Sequence, residues 1–364
     1  MQHLTLDPHT VHPPTRDLPA TKRLPTELPP AKQVKLHPHR AGGENAFLYF
    51  VGTATVVLEW EGIRVMTDPN FLHAGEAVHL APGVTTVRRT DPAVGLHDLP
   101  RIDLVLLSHY HGDHFDHRVE SSLRRDLPII TTPHGKSQLT GKGGPGEAFT
   151  DVFALDVFQQ MLVDVRKRTP GDDDDTMMRT ADSNAGVDRQ PRMRVTAMPG
   201  THVPGRILQT LNELARAIPP TNGYMLELGY TTPSAPSTTT DFSCGYRIYI
   251  TGDTVLTPDL DDIPRRYTHQ DQPVDLMLLH LGGTTVPSPA MLPLAVTVTM
   301  DARQGAELVR RVRPDVAVPV HYDDYDIFAS GVEDFRREVE REGQVPGTVV
   351  FLDRGEGYRF RVGA

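Results

Sequence analysis

Residues 108 to 114 read Ser-His-Tyr-His-Gly-Asp-His, which places His109, His111, Asp113 and His114 within six positions. Imidazole nitrogens and carboxylate oxygens are donors for zinc, manganese and iron, and four of them this close describe half of a two-cation site. The run leaves the end of IDLVLLSH, a continuous apolar stretch with the look of a strand buried on both faces. In extended backbone, residues two apart face the same way, so His109 and His111 converge on one point. Gly112 then permits a sharp turn that swings Asp113 and His114 towards a second point. A metal needs further donors, and three residues stand in the same place relative to a strand: His202 after MRVTAMPG, Asp253 ending YRIYITGD, and His321 ending DVAVPVH. Asp68, closing IRVMTD, is read as an acceptor that orients a ligand histidine through its other ring nitrogen. His280, near the end of VDLMLLHLGG, is a candidate catalytic proton donor or oxyanion stabiliser. Tyr110 and Tyr322 flank ligand histidines and are candidates to hydrogen-bond a substrate oxygen.

Composition narrows the chemistry. The single cysteine, Cys244, forms neither an internal disulfide nor a thiolate-rich zinc module, so a metal here is held by histidine and carboxylate. A net charge of −10 and the absence of a long Lys/Arg block speak against a phosphate-backbone binder, and no nucleic-acid partner is expected. The N-terminus lacks a basic region followed by an apolar one, and no apolar run reaches about 18 residues. The expectation is a cytoplasmic protein without a transmembrane segment.

The elements that must position these side chains are strand-heavy. Residues 1–45 contain eight prolines and five histidines with little apolar periodicity, which suits an extended arm. Two arrangements stay open for it: clasping a neighbouring subunit in a homo-oligomer, or lying over its own domain. Residues 46–364 read as one domain. It opens with three β-rich runs, FLYFVG, TVVLEW and IRVMTD, split by Gly52 and by Glu61-Gly62. A helix capped by Asp116 should bury Val119 and Leu123. Residues 166–192 carry six basic and six acidic residues without an aromatic, and read as a surface insertion. Helical spacing returns in ARQGAELVRRV and VEDFRREVERE, and TVVFLD with YRFRV reads as a terminal strand pair.

The spaced set Asp68, His109, His111, Asp113, His114, His202, Asp253 and His321 resembles the metallo-β-lactamase fold superfamily, and the likeness runs over almost all of residues 47 to 352. That resemblance implies an α/β (α+β) fold of four layers, an αβ/βα sandwich with the metals at one edge between two mixed sheets. It implies that His109, His111 and His202 hold one metal, that Asp113, His114 and His321 hold the other, and that Asp253 bridges them. Within the superfamily, FVGTATVVLEWEGIRVMTDPNF and PVHYDDYDIF look most like the branch of ascorbate-6-phosphate lactonase-type proteins and the N-acyl-phosphatidylethanolamine-hydrolysing phospholipase D. Members that reduce oxygen carry glutamate where this chain has His111, and Cys244 lies outside every ligand motif, so those variants are disfavoured.

Two divalent ions about 3.5 to 4 Å apart lower the pKa of a shared water from about 15.7 towards about 7, giving a bridging hydroxide as nucleophile. The positive site then stabilises an anionic transition state, and Asp113 is placed to take a proton from the water or pass one to the leaving group. The expected function is a dinuclear metal-dependent hydrolase that cleaves an ester-type bond, a lactone or a phosphodiester, of a small or lipid-like substrate. Zinc is the first choice of metal, with manganese and iron compatible. The alternatives are a catalytically silent metal-binding scaffold of the same fold and, less favoured, a nuclease.

Overall fold

The computed structural model describes all residues except 82–83, 168–188, 206–217, 232–241, 268–272, 287–295, 343–346 and 364. Most of the surface insertion expected at 166–192 therefore lies outside the described residues. The first half of the chain supplies β1 (Gln2–Leu6), β2 (Val34–Leu36), β3 (Ala46–Gly52), β4 (Thr55–Trp60), β5 (Ile63–Thr67), β6 (Ala77–Ala81), β7 (Val84–Val87), β8 (Leu104–Leu106), β9 (Ile129–Thr131), β10 (Val152–Ala154) and β11 (Gln160–Val165). The second half supplies β12 (Gln190–Met198), β13 (Gly223–Thr231), β14 (Phe242–Ile250), β15 (Leu276–His280), β16 (Thr285–Val286), β17 (Val296–Thr297), β18 (Val316–Val320), β19 (Thr348–Val349) and β20 (Gly357–Phe360). The helices are α1 (His117–Ser122), α2 (Pro133–Thr140), α3 (Asp262–Tyr267), α4 (Ala302–Val312) and α5 (Val332–Glu342).

Two eight-stranded sheets form, ordered β1-β11-β12-β13-β14-β15-β18-β19 and β10-β9-β8-β5-β4-β3-β20-β2. The period of two explains why both are sandwiched. In β3, Leu48 and Phe50 enter the core between the sheets while Tyr49 and Val51 enter a second core on the outer face. Val119 and Leu139, on α1 and α2, cover that outer face. On the other sheet, Leu226 and Ile248 point inward, and Met225 and Tyr249 point outward against Ile263, Val309 and Phe335 of α3, α4 and α5. Strands buried on both faces need apolar residues at every position, which is why the runs at β3, β8 and β15 are continuous. The result is four layers, helices outside and sheets inside.

Caps fix the helices locally. Asp116 accepts from the backbone N–H groups of Arg118 and Val119, and also from that of Phe71 at 2.5 Å, which ties α1 to the loop after β5. Asp301 caps α4 through the N–H of Gln304 at 2.8 Å.

Of the two arrangements open to the proline-rich N-terminal segment, the chain adopts the one over its own domain: β1 pairs in parallel with β11, β2 pairs in parallel with β20, and Leu6 is buried in the inter-sheet core. His3 meets Asp164 at 2.7 Å and His37 meets Asp315 at 2.8 Å, so its histidines pair with carboxylates of the chain's own domain. Prolines restrict pairing in a central strand, but at a sheet edge the short stretches between them are free to pair. The expected terminal strand pair is corrected: the last two strands do not pair with each other. β19 joins β18 and β20 joins β3, because the intervening Val350 and Leu352 cross between the sheets and bury themselves in the shared core.

Strand direction decides where the site lies. β14, β15 and β18 are parallel, and β12 is antiparallel to β13, which is antiparallel to β14, so all four end at one edge. In the facing sheet β5 and β8 are parallel, and their ends carry Asp68 and the 108–114 run. Bonds that join the sheets there include Asn222 N–H to the Ser108 carbonyl at 3.0 Å, the Asn222 side-chain amide to the Leu155 carbonyl at 2.8 Å, the Tyr224 hydroxyl to the Leu107 carbonyl at 2.9 Å, and His321 N–H to the Thr53 carbonyl at 2.8 Å.

Since Leu6 is buried in the shared core, Leu6→Ala should lower unfolding free energy by about 2 kcal/mol, at the low end for a buried leucine because β1 is an edge strand. Urea denaturation checks this, and an unchanged midpoint would mean that β1 is not docked in solution.

Candidate metal centre

The strand ends bring seven side chains into two adjoining groups. His109, His111 and His202 form one, and Asp113, His114, Asp253 and His321 form the other, with one donor atom from each residue lying within 4.8 Å of the rest of its group. The groups meet where the rings of His109 and His114 lie 4.2 Å apart. All are buried except His111, which is partly exposed. Asp253 falls within the second group, with its Oδ2 at 3.1 Å from His114 Nε2 and its Oδ1 at 3.5 Å from His321 Nδ1.

Each histidine commits one ring nitrogen to the protein. His202 Nδ1 donates to the Val298 carbonyl at 2.8 Å, His111 Nε2 to the Leu80 carbonyl at 2.6 Å and His321 Nδ1 to the Leu281 carbonyl at 3.1 Å. His109 Nδ1 pairs with Ser108 Oγ at 2.9 Å, and His114 Nδ1 faces Asp68 Oδ2 at 3.3 Å. The opposite nitrogens are left over: His109 Nε2, His111 Nδ1, His114 Nε2 and His321 Nε2 are buried and form no hydrogen bond among the described residues, and neither do Asp113 Oδ1 and Asp253 Oδ1. A buried polar atom without a partner is costly, and a cluster of such lone pairs aimed at one another fits divalent cations. The outer nitrogens are anchored as metal-binding imidazoles are, by carbonyl, hydroxyl or carboxylate.

Local electrostatics divide the rings. Burial, reinforced by neighbouring His114 and His202, holds His109 well below the ordinary histidine range, and burial takes His202 down to about 4. Burial would also depress His114, but the carboxylates of Asp253, Asp113 and Asp68 outweigh it and hold this ring well above that range. Burial pushes Asp113 and Asp253 up, yet the surrounding histidines overcome it and keep both well below the usual carboxylate range.

The other sequence candidates fall in different places. Asp68 accepts the Ser108 N–H at 2.7 Å through Oδ1 and turns Oδ2 to His114, the arrangement of an orienting carboxylate. Its φ of 34°, like the 61° of His321, lies in the left-handed region, which non-glycine residues occupy at a cost. His280 joins neither group. It is as buried as the grouped residues, with Nδ1 at 3.2 Å from Thr251 Oγ1, Nε2 at 3.6 Å from Asp68 and without a hydrogen bond among the described residues, and its ring 5.9 Å from that of His321. Both tyrosines are corrected. The Tyr110 hydroxyl donates to Glu120 and accepts from Lys142 at 2.6 Å, while that of Tyr322 donates to the Leu352 carbonyl at 3.2 Å. These hydroxyls are spent inside the protein because each ring packs into an outer-layer core, away from the site edge.

Gly112 works differently from its expected role. Its φ is not positive, and what forbids a side chain is Val78, whose Cγ1 would lie 2.6 Å from an added Cβ. Gly252, just before Asp253, does need its φ of 61°, and a Cβ there would come within 2.5 Å of the Asn222 carbonyl. Sequence reasoning missed Ser108, Thr251 and Asn70. All three adjoin quoted motifs, in SHYHGDH, ITGD and TDPN, but side-chain type alone does not announce a support role.

Comparison with known proteins identifies the family and the fold. A family model described as a beta-lactamase superfamily domain matches residues 64–322. A metal-dependent hydrolase of Anaeromyxobacter dehalogenans is 25% identical over 281 residues, covering 77% of this chain and 79% of the relative. One of Methanopyrus kandleri is 24% identical over 309 residues, covering 85% of this chain and 97% of the relative. Among solved structures, an isothiocyanate hydrolase from Delia radicum gut bacteria superposes with a TM-score of 0.59 at 16% identity, covering 87% of this chain and all (100%) of that one. A possible metal-dependent hydrolase from Veillonella parvula also gives 0.59 at 16% identity, covering 86% of this chain and 99% of that one.

Because His114 is held above the ordinary histidine range in the metal-free state, it carries a proton at neutral pH that a cation must displace. Uptake of zinc at pH 7 is therefore expected to release protons, with apparent affinity rising as pH rises. Calorimetric titration in buffers of different ionisation enthalpy measures this; heats independent of buffer would contradict it.

Proposed function

The chain belongs to the beta-lactamase superfamily, and from that premise we propose that it is a metal-dependent hydrolase with two cation positions, cleaving an ester-type bond, a lactone or a phosphodiester, of a small or lipid-like substrate. The observation that carries the reading is the pair of adjoining donor groups whose free ring nitrogens and carboxylate oxygens converge from four separate chain segments. His109, His111 and His202 would hold one cation, and Asp113, His114 and His321 the other, with Asp253 between them. The donor set of imidazole and carboxylate without thiolate favours zinc and accommodates manganese or iron. When bound, such a pair of cations acidifies a shared water and stabilises negative charge on a carbonyl or phosphoryl oxygen.

The chain's own residues supply orientation and proton handling. Leu80, Val298 and Leu281 carbonyls fix which nitrogen of His111, His202 and His321 faces inward, so no ring has to reorganise during turnover. Asp113 Oδ1 is paired with His111 Nδ1 at 2.8 Å where the two donor groups meet, a place from which the carboxylate would pass a proton between an attacking water and the leaving alkoxide. Asp68 keeps its charge beside His114 and secures that ring's Nδ1. Among the described residues no helix is long and apolar enough to cross a membrane.

Elemental analysis should find two equivalents of metal, and a panel of lactones, phosphodiesters and β-lactams should reveal turnover on an ester substrate. Full metal with no turnover on any ester favours a silent scaffold, and activity confined to nucleic acid favours a nuclease. Asp113→Asn should reduce kcat by about 10²- to 10⁴-fold on the ester found, the usual contribution of a positioned acid–base group. Undiminished kcat at full metal content would remove Asp113 from the proton path.

A further inference from the structure

Arg88, at the end of the β6–β7 hairpin, is completely buried and carries a charge that the proposed chemistry does not use. Its guanidinium donates to Asn70 Oδ1 at 2.6 Å and to the Thr90 carbonyl at 3.0 Å, and lies 3.2 Å from Asp324 Oδ1. Each of its two acceptor side chains leads to a different part of the site. Asn70 spends both N–H bonds of its amide nitrogen inward, on the Asp113 carbonyl at 2.9 Å and the Tyr325 hydroxyl at 2.7 Å. Asp324 Oδ2 accepts the Thr53 N–H at 2.9 Å, and the Thr53 carbonyl accepts the His321 N–H at 2.8 Å. Thr53 and His321 both sit at positive φ, 50° and 61°, so their conformations depend on being held. Thr90 and Arg354 complete the set around Asp324.

We propose that the buried Arg88–Asp324 pair is a positioning device that fixes Asp113 by way of Asn70 and His321 by way of Thr53, and so sets the affinity of one cation position while leaving the other alone. Both residues it reaches belong to the group Asp113, His114, Asp253 and His321; its bonds reach none of His109, His111 and His202, and the one link onward is Asp113 Oδ1 at 2.8 Å from His111 Nδ1. Asn70 explains why the fork works: its Oδ1 accepts from Arg88 at 2.6 Å and from the Leu72 N–H at 3.3 Å while its amide nitrogen donates to the Asp113 backbone carbonyl, so loss of the guanidinium removes the shorter of the two bonds that orient the amide. The inference rests on the two-cation reading, and the test separates the two.

Wild-type protein, Asn70→Ala, Arg88→Met and the double variant are titrated with zinc alone, following equivalents bound and the affinity of each. In both single variants, one equivalent should weaken by about 10- to 100-fold, the usual effect of disturbing a group behind a metal ligand, with the other unchanged within about twofold. The double variant should be no weaker than the worse single, because Asn70 lies on one of the two branches that Arg88 holds. Equal weakening of both equivalents, no weakening, or multiplicative losses would overturn the proposal. Amide hydrogen exchange in metal-free protein gives a second readout: Thr53 and His321 should exchange at least about tenfold faster in Arg88→Met, with the amides of β13 unchanged. Unaltered exchange at those two amides overturns the proposal even if wild-type protein binds fewer than two equivalents, an outcome that would by itself sink only the two-cation reading. If Arg88→Met fails to fold, Asn70→Ala, which removes no charge, decides the affinity arm.

Discussion

Six histidines and three aspartates share one buried edge of this fold, and the need to satisfy them without water governs what surrounds them. An isolated buried carboxylate is prohibitively costly, and a buried imidazole still needs a partner for its N–H. The protein meets part of this demand with backbone carbonyls, Ser108 and Asp68, which take one nitrogen of each ligand ring. The remaining nitrogens and oxygens face each other. Burial lowers His109 and His202, while at His114, His111 and His321 the neighbouring carboxylates outweigh burial and raise the ring. Divalent charge at the centre would relieve the same imbalance.

The architecture supplies the rigidity this demands. Parallel direction among β12, β14, β15 and β18 puts four chain reversals at one edge, and the facing β5 and β8 bring two more. Each reversal departs from a strand whose two faces are packed into different cores, so the strand end has little freedom to drift. Left-handed residues at Thr53, Asp68 and His321 cost of order 1–3 kcal/mol each by general experience and persist only where neighbouring bonds hold them. At Thr53 and His321 those bonds run between the sheets, while Asp68 is held within its own sheet by Leu106, Ser108 and Thr55, so the site edge is also a seam of the sandwich.

The motif residues were legible because metal chemistry limits the choice of side chain. Histidine and aspartate recurring at strand ends serve few purposes besides gripping a cation, and Asp68, His109, His111, Asp113, His114, His202, Asp253 and His321 all stand at the edge where their spacing put them. The supports were not legible. Asn70, Thr251 and the carbonyls of Leu80, Val298 and Leu281 act through geometry that any polar residue or any backbone could offer. Tyr110 and Tyr322 misled for a related reason: adjacency to a ligand in sequence does not fix which layer a ring enters, and alternation along the backbone turned both towards outer cores.

The sequence by itself determined the donor set, the alternation of buried strands and capped helices, and the exclusion of thiolate chemistry, since each follows from residue type and local spacing. Only the tertiary structure decided that the proline-rich segment completes both sheets, that β19 and β20 part company, and that Arg88 and Asp324 meet behind the site. Those are pairings between residues far apart along the chain. They arise from competition among whole surfaces for burial and for hydrogen bonds, a comparison that no local pattern contains.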